Sequence, residues 1–131
     1  MVKARPRRYA GDELHHWLEY REKMIAQQIF RYAQPTSLRT WAHPKFSIPK
    51  GVKRRWILDR SGQNDFQRDI PCKMTGASYL AQNLPKGAWM CAADFSAFFH
   101  RFNGSPQETA YQQFYDGETL ELMEYGTMSM G

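Results

Sequence analysis

Cysteine is scarce in this chain. Cys72 and Cys91 are the whole supply, and two thiols at that separation form neither a disulfide framework nor a metal-ligand pattern. Both are expected to be reduced and buried, as in a protein of a reducing intracellular compartment. Long apolar runs are missing too. Nothing approaches the roughly 18 residues needed to cross a bilayer, no signal-peptide core is visible, and no membrane partner is expected. There is no Walker loop and no dinucleotide fingerprint. Ser96 lacks the flanking pattern of a nucleophile elbow, so a serine hydrolase is not indicated. His43 has no Cys or His at ligand spacing, and His15 and His16 are neighbours inside the first helix. Repeats and low-complexity tracts are absent.

What is present suffices for one folded domain. Hydrophobic residues make up 42% of the 131 residues, and aromatics 15%, enough to bury a core. The net charge of +5 is unevenly spread. Residues 1–60 hold 14 Lys or Arg against 5 Asp or Glu, a balance of +9. Residues 61–131 hold 4 against 8, a balance of −4. A basic front half suits a polyanionic partner. The first eleven residues carry Lys3, Arg5, Arg7 and Arg8 and no acid. They form either a basic arm for nucleic acid, a mitochondrial targeting segment, or a solvated terminus.

The spacing predicts a helix over residues 12–33, capped by Asp12 and ended by Pro35. Leu14, Trp17, Leu18, Met24, Ile25, Ile29 and Tyr32 form its apolar stripe. A hairpin follows, Lys45–Ile48 with Arg54–Asp59, turning at Gly51 and carrying a basic tip. Thr75 is placed to cap a short helix through Leu84, before the Pro85 and Gly87 breakers. Ala88–Asp94 (AWMCAAD) has the composition of a buried central strand ending on an acid. Ser96–Phe102 is expected to turn helical. Tyr111–Tyr115 and Thr119–Tyr125 flank Asp116-Gly117, a favoured hairpin turn. Helix, hairpin, helix, strand, hairpin is an α+β order.

Asp94 stands out chemically, because a carboxylate at the end of an apolar strand suits a hard cation such as Mg²⁺. An Asp in that place is more often a cap or a turn former. Phe98 and Phe99 beside it are either a wall for a sugar or base, or core. Lys50, Lys53, Arg54 and Arg55 on the hairpin are either a cradle for phosphate oxygens or charges guarding an exposed edge.

These pieces, in this order, resemble reverse transcriptases of retroviruses and long-terminal-repeat retrotransposons, from about Glu22 to Met130. Ser37–Lys50 (SLRTWAHPKFSIPK) resembles the family's S-x-W-A-S-P-x-x-x-V-P-K entry into the fingers. Lys53–Asn64 (KRRWILDRSGQN) is similar to W-R-x-x-x-D-x-R-x-L-N. Asp94–Phe102 (DFSAFFHRF) is similar to D-L-K-S-G-F-H-Q-I, the palm motif with the first catalytic aspartate. Glu108–Met130 is similar to K-T-A-F-x-x-x-x-G-x-Y-E-F-x-x-M-P-F-G-L-x-N-A.

The resemblance implies a truncated polymerase fold: a basic arm over 1–11, a fingers-like region over 12–87 and a partial palm over 88–131. It implies Asp94 as a catalytic Mg²⁺ ligand and Phe99 as the aromatic that screens a ribose 2′-hydroxyl. Lys50 and Arg55 would touch the incoming triphosphate, and Asn64 would close the fingers motif. The departures are Ser61 for an Arg, Phe98 for a small residue and Glu124 for the proline of P-F-G. The Y-x-D-D hairpin with the second catalytic aspartate is not found, and phosphoryl transfer by two metals needs more than one carboxylate. The leading expectation is a non-catalytic RNA-binding or structural subunit of a ribonucleoprotein, a ribosome-like particle being one such assembly, contacting RNA or an RNA/DNA duplex through the hairpin and Arg5, Arg7 and Arg8. Met123, Met128 and Met130 are expected on an apolar face covered by other subunits. The alternatives are the front part of an active RNA-directed DNA polymerase, completed elsewhere, and a plain protein-interaction module.

Overall fold

The computed structural model describes residues 4–38 and 42–129, so Lys3, Met130 and Arg39–Trp41 of the fingers-entry motif lie outside the described residues. The first helix, α1, runs over Gly11–Ala26 and ends seven residues before the expected end at residue 33. Its C-terminus explains the difference. Gln28 is left-handed at φ 60°. Its N–H donates to Ile25 O, and the Ile29 N–H donates to Met24 O, both at 2.9 Å. This is the paired-bond Schellman stop, with Ile29 and Met24 making the apolar contact that accompanies it. At the other end Ala10 is the N-cap. Asp12 falls inside the first turn with Glu13, where both complement the helix dipole.

After the stop, Phe30–Tyr32 form strand β1. The hairpin follows as β2 (Lys45–Lys50) and β3 (Lys53–Leu58). The helical segments α2 (Ser61–Asn64), α3 (Ala77–Asn83) and α4 (Pro106–Ala110) follow. The last hairpin is β4 (Gln113–Tyr115) with β5 (Leu122–Tyr125). Two antiparallel sheets result, β1-β5-β4 and β2-β3. They are linked by a parallel bridge between Ala42 and Gln113. The α+β class holds.

The core lies between α1 and the sheets. Trp17, Phe114 and Met123 are wholly buried, with Phe30, Tyr125, Ile29, Leu58, Tyr9 and Met24 around them. Trp17 is its hub, with rings of Trp56 at 5.0 Å and Tyr9 at 5.5 Å. Met123, expected on an apolar surface, is therefore a core residue, while Met128 is exposed.

The arm before α1 is docked. The Ala4 N–H donates to Ala42 O, and the Tyr9 N–H donates to Gly117 O. The Tyr9 hydroxyl donates to Lys45 O at 2.7 Å. Gly117 serves this packing, since any Cβ there would fall inside the Tyr9 ring. Its part in the turn differs from the expected two-residue hairpin. Residues 116–121 form a wider loop, closed by Asp116 N–H to Glu121 O, with Leu120 left-handed at φ 62°.

Residues 64–99 contain no buried or half-buried residue. Within them α3 is capped at Gly76, with no bond from Thr75. Ala88–Asp94 is not a strand: it has no regular structure, and Trp89 is 99% exposed. An apolar sequence states a demand for burial, but a central strand also needs strands on both sides, and none pairs here. Cys72 and Cys91 fall in the same segment and are exposed free thiols, not buried ones.

Candidate nucleic-acid interface

The β2-β3 register sorts the four cations of the hairpin onto two faces. Lys50 stands opposite Lys53, Ile48 opposite Arg55, and Pro49 opposite Arg54. Cross-strand partners share a face, and successive residues alternate. Lys50, Lys53 and Arg55 therefore lie together on one face, all exposed. Arg54 lies on the other, beside Trp56. Its Nε donates to Ser47 Oγ at 2.7 Å, and its Nη1 is 3.5 Å from Asp12 Oδ2. Arg54 thus ties the hairpin to α1, whereas no ion pair neutralises the other three among the described residues. Gly51 makes the turn with φ +61°, and Val52 beside it is 90% exposed.

The arm's arginines also divide. Arg7 pairs with Glu13, Nη2 to Oε1 at 3.0 Å, and stacks over Tyr9 at 4.8 Å. Arg8 Nη1 donates to Glu118 O at 2.7 Å. Arg5 makes no ion pair among the described residues. Asn64 ends α2 and is exposed.

Asp94 is exposed in the irregular segment. No group of three His, Cys, Asp or Glu able to hold a metal occurs among the described residues. Phe99 lies in a 3-10 turn, Phe98–Arg101, and is 39% exposed. Its ring is 5.7 Å from Phe98, which in turn touches Phe95 and Phe102. The four phenylalanines are all partly open to solvent. They are neither core nor, on this geometry, grouped with the hairpin cations.

Two buried polar arrangements were not legible beforehand. Asp116, a turn residue by its sequence context, is fully buried. Its Oδ1 accepts from Trp17 Nε1 and the Glu118 N–H, both at 2.8 Å. Its Oδ2 accepts from Tyr32 Oη at 2.6 Å and Arg21 Nη1 at 3.0 Å. Burial pushes this carboxyl up, but the donated bonds from Tyr32, Glu118 and Trp17 and the Arg21 charge outweigh it, so it lies below the ordinary range. With two donors on each oxygen, the carboxylate is saturated and serves as a structural joint between α1, β1 and the last hairpin.

The second is Lys45. Its ammonium donates to Tyr125 Oη at 2.8 Å. It faces the rings of Phe114 (4.8 Å), Phe30 (5.0 Å), Tyr125 (5.1 Å) and Tyr20 (5.8 Å). Burial pushes the amine down to about 7. Lysine at the first position of a strand carries no signal of such a cage. Only the closing of four elements around it, α1, β1, β4 and β5, creates one.

No family model and no curated protein matches this sequence. No helix among the described residues is long and apolar enough to cross a membrane.

Proposed function

We propose that this chain is a reverse-transcriptase-like, non-catalytic nucleic-acid-binding subunit of a ribonucleoprotein assembly, with the outer face of the β2-β3 hairpin on the phosphate backbone. One observation carries the reading: Lys50 stands directly opposite Lys53 with Arg55 on the same face, and no acid among the described residues pairs with them. Like charges opposed across a strand pair destabilise it. A run of phosphates relieves that repulsion and releases counterions on binding. Contacts of this kind set position and carry no base sequence information. The four-motif resemblance to reverse transcriptases supports RNA or an RNA/DNA duplex as the polyanion.

The test is the salt dependence of binding to a single-stranded RNA. Lys50→Gln with Lys53→Gln should weaken binding and flatten the slope of log K against log salt by about 0.7 per lost contact. Arg55→Ala should act in the same direction. Arg54→Ala should leave the slope alone and cost stability instead, because it removes the link to Asp12 and Ser47. Unchanged affinity and slope in the double variant refute the hairpin as the contact face.

A further inference from the structure

The docked arm and the segment after residue 42 enclose a second concave site, at the base of the hairpin and away from its basic tip. The arm is held at both ends, by Ala4 N–H to Ala42 O and by Tyr9 N–H to Gly117 O, so Arg5 to Arg8 bridge between fixed points. Tyr9 Oη to Lys45 O adds a third tie. Under the bridge lies a cavity of about 410 Å³, lined by Arg5, Tyr9, His43, Phe46 and Tyr115 among others. That volume is in the range of small-ligand sites, too small for a folded partner and adequate for one small molecule or one residue of a polymer.

The lining has two chemistries side by side. One is cationic. Arg5 makes no ion pair among the described residues, whereas Arg7, also at the rim, is held by Glu13. His43 is buried with its Nε2 2.9 Å from Tyr111 O, so it serves as wall rather than as a ligand contact. A single open guanidinium takes one phosphate, in a bidentate fork. The other chemistry is aromatic. Phe46 and Tyr115, both half-buried, supply ring surface, and a nucleobase stacks on such surface whatever its identity.

We infer that this cavity binds a single nucleotide unit, its phosphate on Arg5 and its base against the aromatic lining of Phe46 and Tyr115. The site goes beyond the proposed hairpin contact and does not depend on it. The hairpin tracks a backbone, while this cavity accepts one splayed-out or terminal nucleotide of single-stranded nucleic acid.

The experiment is titration of the isotope-labelled full chain with AMP, followed by two-dimensional amide NMR. Adenosine, inorganic phosphate and O-phosphotyrosine serve as comparison ligands. AMP is expected to shift the amides of residues 4–9, 43, 45, 46 and 115 in a saturable way. Arg5→Gln should weaken AMP on the order of tenfold, to the level of adenosine, and Lys86→Gln should not. Arg5 is exposed, so its variant is expected to fold, and its unperturbed amide spectrum checks this. Absence of shifts at millimolar AMP overturns the inference, as does equal binding by the Arg5→Gln protein. Inorganic phosphate binding as tightly as AMP overturns the base contact, and O-phosphotyrosine binding as tightly overturns the assignment to a nucleotide. Because the hairpin test reads RNA affinity in variants of Lys50 and Lys53, the two ideas fail separately.

Discussion

Lys45 makes the stability of this protein a function of pH at mildly alkaline values. Burial moves its amine from an ordinary 10.5 to about 7. Each pKa unit is worth about 1.4 kcal/mol, so that shift alone corresponds to a penalty of about 5 kcal/mol for burying the ammonium. Four ring faces lie within cation–π range and oppose it. Taken together they return about 2–3 kcal/mol, leaving a net cost of about 2 kcal/mol. The sign follows from the protons. The cation–π return narrows the titration to the upper part of the range between about 7 and 10.5; there the unfolded chain holds a proton that the folded chain releases, so stability rises with pH across that window. Below it the penalty is complete. Lys45→Met keeps an unbranched side chain and removes the ammonium. Urea unfolding followed by tryptophan fluorescence should find the variant more stable by about 2 kcal/mol near neutral pH. The gap should close as the pH approaches 10. Comparing the two proteins at each pH cancels the titration of every other group, the facing hydroxyls of Tyr20 and Tyr125 included. A gap that is constant with pH refutes the argument. So does a less stable variant at neutral pH, which would make the cage a net stabiliser of the charge.

Two further substitutions test other joints of the fold. Asp116→Ala strands the Trp17, Tyr32 and Arg21 donors and should cost about 3 kcal/mol in chemical denaturation. Because the Asp116 carboxyl titrates below its ordinary range, the wild-type advantage should persist at neutral pH and vanish as acid protonates the folded state; an advantage that is flat down to strong acid would contradict the network. Gln28→Gly replaces a left-handed non-glycine at the end of α1 and should stabilise by about 0.5–1 kcal/mol; a loss of stability would mean the Gln28 side chain does more than cap.

The aromatic and apolar stripe of α1 was visible in the sequence because helix burial repeats with the backbone's own period. Trp17 and Met24 are where that stripe places them. The same stripe misled at Ile29 and Tyr32, which keep the spacing across a helix stop. A Schellman end without glycine leaves little trace in sequence. The β2-β3 hairpin was legible, since Gly51 and the alternating Lys53–Leu58 run are local signals. The strand expected at Ala88–Asp94 does not form, because its composition is equally compatible with an exposed irregular segment. Among the basic residues, sequence supplied the candidates, and geometry separated Lys50, Lys53 and Arg55 from Arg54, Arg7 and Arg8.

By itself the sequence determined the α+β class, the helix face, the basic hairpin and the net positive charge of the front half. All of these depend on neighbours a few residues apart, whose relation the backbone period sets. Tertiary structure alone decided which arginines are spent on protein partners, that Asp116 is a buried joint and that Lys45 is caged by rings from α1, β1, β4 and β5. Most of those outcomes depend on residues far apart in the sequence meeting, 95 positions for Arg21 and Asp116 and 110 for Arg8 and Glu118, and the period of a helix or strand carries no information about contacts at that distance.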